Sequence, residues 1–260
     1  MLPELGCTTP ACWDDSGCTR YRRARLANFW LPTFPLKLSM SNTFSKLYQI
    51  LSEKYTLDVW WESETPTEII VGAILMHNAS WNNVRKALDA LKRERLLDFQ
   101  TLHALPSAIL TEYIRPAGLA QVKTRRLQNL LNFIDEKYGS VEAMANEETD
   151  TLRAALLGVN GVGEETADSI LLYALRKPAF VVDAYTRRIL SRHGLIDKSA
   201  RYGDIKSKFE SALPADTELF DHFHGLMVEL CKEYCLKNNP RCAECPLRTW
   251  EIPPAGLPPK

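Results

Sequence analysis

The stretch best equipped for chemistry is LLGVNGVGEETADSILLYALRKPAFVVDAYTRRIL, residues 156–190, where Gly161 and Gly163 flank Val162 and Asp183 follows the apolar pair Val181-Val182. Glycines at such a step supply positive φ or let a second backbone or a ligand come close. A helical pattern follows from Glu164, with Thr166, Ala167, Ile170, Leu171 and Ala174 at helical spacing. Free N–H groups at the start of a helix attract anions, and a ligand-free corner between two helices fits the same residues equally well. Asp183 stands where another helix should begin, so the helix dipole favours its ionised form. An ordinary N-cap aspartate has the same signature.

Cysteines are the second group with chemical potential. Cys7, Cys12 and Cys18 lie near the start, and Cys231, Cys235, Cys242 and Cys245 near the end. Seven is an odd number, and the chain start has no charged-then-apolar signal pattern, so free thiols or a metal site are favoured over a disulfide framework. The first three lack the paired C-x2-C knuckles of a zinc ribbon.

The rest of the chain must position these groups. With 32 basic and 32 acidic residues, net charge gives no case for nucleic acid, which has to rest on local patches. No apolar run reaches membrane-spanning length, the longest candidate being broken by Asn78 and Ser80. Residues 1–39 are small, polar and turn-rich, and are predicted to be a disordered extension; Met40, directly before SNTFSKLYQILSEKY, is an alternative start. From residue 41 onward helices are expected almost throughout. Thr65-Pro66-Thr67-Glu68 is a capping box with proline at the first helical position. Ser80 caps a helix whose inner face is Val84, Leu88 and Leu91. Another helix runs from about Val122 with Leu127, Leu130, Leu131 and Ile134 inward, and stops at Gly139. Phe180-Val181-Val182 is too short to build a sheet, so the expected fold is all-α.

VNGVGEETADSILLYA followed by FVVDAYTRRI resembles the helix–hairpin–helix, Gly/Pro-rich loop and catalytic aspartate of the endonuclease III superfamily of DNA glycosylases, over roughly residues 43–248. The resemblance implies two helical domains, a six-helix domain at 66–176 and a second at 40–65 plus 177–250, with the active site between them. It implies that Gly161, Val162 and Gly163 grip a DNA phosphate through backbone N–H groups without reading sequence. Asp183 would stabilise an oxocarbenium-like sugar and orient a water. Members that also cut the backbone carry a lysine where this chain has Glu165, and a carboxylate forms no imine. A monofunctional glycosylase without lyase activity is expected.

Trp60-Trp61 before the 66–75 helix, and MHNASW at 76–81, resemble the 3-methyladenine DNA glycosylase III subgroup. That places Trp60 and Trp81 on either side of a flipped base, with His77 and Asn78 reaching into the base or its gap and Glu165 at the pocket. Core packing is the alternative for both tryptophans. RPAGLAQVKTRR resembles the wedge loop, with Gln121 or a neighbour filling the gap and Lys123, Arg125 and Arg126 meeting phosphates; Arg187, Arg188 and Arg192 would extend the basic face. Cys235, Cys242 and Cys245 match three ligands of the family's 4Fe–4S cluster, the fourth position is Glu251, and Cys231 is the candidate replacement. Zinc is the other candidate metal. The expected partner is double-stranded DNA with a damaged base, an alkylated purine first and a mismatched thymine, uracil or adenine second; a non-catalytic DNA-binding protein is the rival of another class. A monomer is expected, cytoplasmic and nucleoid-associated if bacterial.

Overall fold

The computed structural model describes residues 42–57, 63 and 65–250. The expectations for residues 1–39, for Trp60 and Trp61, and for Glu251 fall outside them.

Local rules set most helix boundaries. Asn42 caps α1 (Thr43–Lys54) by accepting a bond from the Ser45 N–H at 2.8 Å. Thr65 Oγ1 accepts from the Glu68 N–H at 3.2 Å to open α2 (Pro66–Leu75), with Pro66 at the first position as expected. The Glu68 carboxylate pairs with Lys92 of α3 (Trp81–Arg93) at 2.7 Å, so the last residue of the capping box also ties two helices together. Two shorter helices follow, α4 (Phe99–His103) and α5 (Ser107–Ile114). A 3-10 turn at Arg115–Ala117 and two positive-φ residues, Gly118 and Leu119, then lead into α6 (Ala120–Tyr138), which begins two residues earlier than expected. Gly139, at φ 76°, stops it. Next come α7 (Val141–Met144), α8 (Thr149–Leu157) and α9 (Glu164–Ser169). Helix α9 passes directly into a π-helix, Ile170–Ala174, where the sequence shows a regular α pattern. Asp183 caps α10 (Ala184–Arg192), and α11 (Tyr202–Ala212) and α12 (Thr217–Glu233) complete the series. Residues 180–182 lie outside any helix and pair with no strand, and no strand occurs among the described residues. The fold is all-α.

The buried apolar residues form two clusters. The first gathers Ile70, Leu91, Leu110, Leu127, Leu156 and Ile170 with their neighbours on α2, α3, α5, α6 and α8. The second gathers Leu47, Leu51, Phe180, Phe209, Phe223 and Leu230 with their neighbours. Phe180 stacks on Phe209 with centroids 3.8 Å apart, and Phe223 meets Phe209 edge-on at 5.6 Å. The π-helix is the crossing point: Ile170 and Leu171 belong to the first cluster, Leu172 and Tyr173 to the second. A wider turn redirects side chains that a regular helix would keep in register, and a change of core requires that.

A buried ionic network spans the same crossing. Asp168 on α9 is wholly buried, and Arg153 on α8 donates to it twice, at 2.7 and 3.0 Å. Lys206 on α11 lies 3.5 Å from the same carboxylate and also pairs with Glu210, which accepts from the Phe180 N–H at 2.9 Å. Tyr202, on α11 as well, accepts from the Val182 N–H at 3.2 Å. The residues leading to Asp183 are thus hung from α11, and α11 is tied to the hairpin helix. Breaking a buried pair by removing one partner leaves an uncompensated charge. Asp168→Ala is therefore expected to destabilise the protein by about 3–5 kcal/mol, as read by chemical denaturation.

Candidate active site

Asp183 closes the N-terminus of α10. Its Oδ1 accepts from the Thr186 N–H at 2.7 Å, and its Oδ2 lies 3.5 Å from His224 Nε2 on α12. His224 Nδ1 is 2.6 Å from the hydroxyl of Tyr173 on the π-helix. Burial by itself pushes the Asp183 carboxyl up, but the nearby imidazole and the Thr186 N–H outweigh it, and its pKa ends below the ordinary carboxylate value. The side chain keeps 14% of its surface exposed, enough for a reacting group to reach it. Neither His224 nor Tyr173 was singled out in the sequence. Their spacing from Asp183 carries no motif, and both sit on apolar faces that read as core. The one available signal was a histidine amid the otherwise apolar inner positions of α12.

Glu165 stands in the first turn of α9, where it is exposed. Its carboxyl is pushed above the usual value, first by desolvation and then by the Asp183 charge, with His224 and Arg187 acting the other way. Two carboxyl groups from distant parts of the chain therefore share one field.

The hairpin shows why its two glycines differ. Gly161 has φ 102°, and a Cβ there would lie 2.3 Å from Arg126 Cγ and 2.8 Å from its Cβ. Gly161 is thus required by its conformation and by the arginine stem packed on it. Gly163 has an ordinary φ of −97° and open space where its Cβ would be; it caps α9 without a side chain, leaving the turn uncovered. Val162 is buried in the first core cluster, and Asn129 Nδ2 donates to the Asn160 carbonyl at 3.0 Å to pin the turn to α6.

Two loops lie side by side near this hairpin. The first carries His77 and Asn78, both exposed, with Asn78 in the left-handed region at φ 52°. Burial lowers the His77 pKa, and Arg126 and Lys123 lower it further, so the 76–80 turn adjoins the start of α6. Trp81 opens α3 half-buried, packed on the first core cluster. The second loop carries Leu119, 64% exposed with φ 49°, followed by exposed Gln121 and Arg125 and half-buried Arg126. Lys123 corrects the expectation of a phosphate contact. It is 2% exposed, and its Nζ donates to the carbonyls of Leu75 at 2.8 Å and Ala117 at 2.7 Å. These carbonyls end α2 and the 3-10 turn, so the ammonium is used to join the two loops. Leu119, not singled out in the sequence, is the exposed apolar tip of the second loop.

Residues 71–215 match the family model described as HhH-GPD superfamily base excision DNA repair protein. Assigned as a DNA repair glycosylase, the Methanocaldococcus jannaschii protein MJ1434 is 49% identical over 207 residues, 79% of this chain and 94% of that one. The chain belongs to the HhH-GPD superfamily. Within the superfamily, Thymine-DNA glycosylase of Aeropyrum pernix is 28% identical, covering 72% of this chain and 82% of its own. The crystal structure of H. pylori 3-methyladenine DNA glycosylase (MagIII) bound to 1,N6-ethenoadenine is similar with a TM-score of 0.63 and 26% identity, covering 74% of this chain and 97% of that one.

The remaining arginines and cysteines singled out in the sequence lie on α10 and on or past the end of α12. Arg187, Arg188 and Arg192 are not arrayed as a bare basic face: Arg187 donates to the Ala200 carbonyl at 2.7 Å, Arg188 to the Cys235 carbonyl at 2.9 Å, and Arg192 to Cys235 Sγ at 3.1 Å and the Lys237 carbonyl at 3.1 Å. The four cysteines lie near one another: Cys231 and Cys235 share a hydrogen bond, and Cys245 feels both Cys235 and Cys242. Cys231 is buried with its Sγ 3.7 Å from the Tyr185 carbonyl, Cys235 Sγ is taken by Arg192, and no group of three or more metal-ligating side chains forms among the described residues. In this arrangement Cys231, Cys235, Cys242 and Cys245 form no metal-ligand group.

The two hairpin glycines give opposite expectations. Gly161→Ala should cost about 1–3 kcal/mol of stability, because φ is positive and Arg126 must move. Gly163→Val should leave the denaturation midpoint nearly unchanged and weaken binding to DNA of any sequence, as measured by fluorescence anisotropy.

Proposed function

We propose that this HhH-GPD glycosylase is monofunctional and removes an alkylated purine such as 3-methyladenine from double-stranded DNA. The observation that carries the proposal is the pair of carboxyl groups, Asp183 and Glu165, sharing one field at the start of two helices. A lysine at position 165 would be the nucleophile for a Schiff base, and a carboxylate forms none. The pair also disfavours two negative charges at once, so a cation placed between them relieves both. An N3-methylated adenine carries that positive charge on the base. Its weakened glycosidic bond breaks with the electron pair leaving on the base, Asp183 stabilises the oxocarbenium-like sugar, and a water adds its hydroxyl to C1′ while its proton departs to solvent.

The rest of the surface suits this reading. Gly161 to Gly163 would approach a phosphate, Leu119 would enter the stack left by the flipped base, and Arg125 would meet the backbone. Trp81, with Trp60, would flank the cationic ring. The MagIII structure, bound to 1,N6-ethenoadenine, supports a purine lesion. The resemblance to Thymine-DNA glycosylase supports the second reading, a mismatched thymine or uracil.

Incubation with duplexes carrying single lesions, followed by alkali cleavage, tests the choice. The expected result is release of 3-methyladenine, with Asp183→Asn slower by at least about a thousandfold yet still binding lesion DNA. Glu165→Gln should narrow the preference for the cationic base over neutral 1,N6-ethenoadenine by about tenfold. Preferential release of thymine from a mismatch would transfer the assignment to the second reading. A borohydride-trapped adduct would overturn the monofunctional mechanism.

A further inference from the structure

Asp183 is held from two sides, and only one side is local. The Thr186 N–H is the ordinary N-cap partner and fixes Oδ1. Oδ2 faces His224, a residue 4% exposed on the inner face of α12, and behind His224 stands Tyr173, 5% exposed. The Tyr173 hydroxyl reaches Nδ1 at 2.6 Å. With the phenol donating to Nδ1, the ring proton is carried on Nε2, 3.5 Å from Asp183 Oδ2. The opposite tautomer would turn a lone pair toward the negative oxygen, so carboxylate and phenol select the same arrangement. Tyr173 is brought there by the π-helix, which carries it into the second core cluster.

We propose that His224, held by Tyr173, is a positioning residue that keeps Asp183 charged and fixed for base release. The proposal rests on the assignment of Asp183 in the previous section. The groups that face Asp183 or its neighbour Glu165 are few. Glu165 comes from α9, His224 and Cys231 from α12, and Arg187 from α10 itself, where it offsets Glu165. Burial works against a charged Asp183, and His224, the Thr186 N–H and the Thr186 side chain work for it. Removing His224 leaves burial opposed by Thr186 alone. The carboxyl pKa then rises, and the acid limb of the rate profile moves to higher pH.

Single-turnover release of 3-methyladenine measured from about pH 5 to about pH 9 tests this. His224→Leu should lose about tenfold or more in rate at the acid end and regain most of it at the alkaline end, with binding to an abasic-site analogue unchanged. His224→Gln can offer an N–H in place of Nε2 and should restore the parent profile. Tyr173→Phe keeps the ring and its packing, and should shift the acid limb in the same direction by a smaller amount. Should His224→Leu fail to fold, Tyr173→Phe and His224→Gln decide. An unshifted limb in Tyr173→Phe, together with a His224→Gln rate low at every pH, overturns the proposal, as does an unshifted limb in a folded His224→Leu. Asp183→Asn separates this from failure of the underlying assignment: if it releases the base normally, the assignment of Asp183 itself is wrong.

Discussion

Everything near the candidate active site depends on one wholly buried carboxylate, Asp168. A charge in that position is tolerable only because Arg153 grips it with two bonds and Lys206 stands beyond. Those partners come from helices on either side, so compensating the charge also joins the hairpin helix to α11. Through Glu210 and Tyr202, α11 in turn holds the backbone of Phe180 and Val182. The residue after Val182 is Asp183. Hairpin turn and acid are therefore parts of one braced unit, although Gly163 and Asp183 lie twenty positions apart.

Lys123 plays the same part for the loops. A buried ammonium needs oxygen acceptors, and the end of a helix and the end of a 3-10 turn both offer spare carbonyls. By bonding Leu75 and Ala117, Lys123 sets the His77–Asn78 turn beside the Leu119 tip. Lys123 is thereby withdrawn from solvent, while Arg125 close by stays exposed. Arg126 is divided in use, its stem packed on Gly161.

The two acids differ in the way their proposed roles require. Asp183 has an N-cap bond and an imidazole, and its pKa falls; Glu165 has neither partner of comparable strength, and its pKa rises. Identical chemical groups near one another are thus pushed apart by their surroundings. One is kept as a stable anion, while the other responds to the charge of whatever enters.

Local interactions made much of this legible from sequence. The N-caps at Thr65, Ser80 and Asp183, the stop at Gly139 and the inward faces of α3 and α6 follow from short-range rules, since each bond closes within a few residues. The hairpin glycines and the acid after Val182 stood out for the same reason. Side-chain destinations were not legible in this way. Lys123 reads as a surface cation and is buried, Arg187, Arg188 and Arg192 read as a basic face and bind backbone carbonyls, and Cys231 to Cys245 read as a ligand set and, among the described residues, form no metal-ligand group. His224 and Tyr173 read as core and stand behind Asp183. The sequence by itself determined the all-α fold, the hairpin and the place of the acid, because helix periodicity and caps are encoded within a turn or two. Only the tertiary structure decided which charges were buried, which were paired and which faced outward, because that depends on carbonyls and carboxylates brought from far along the chain by the two cores.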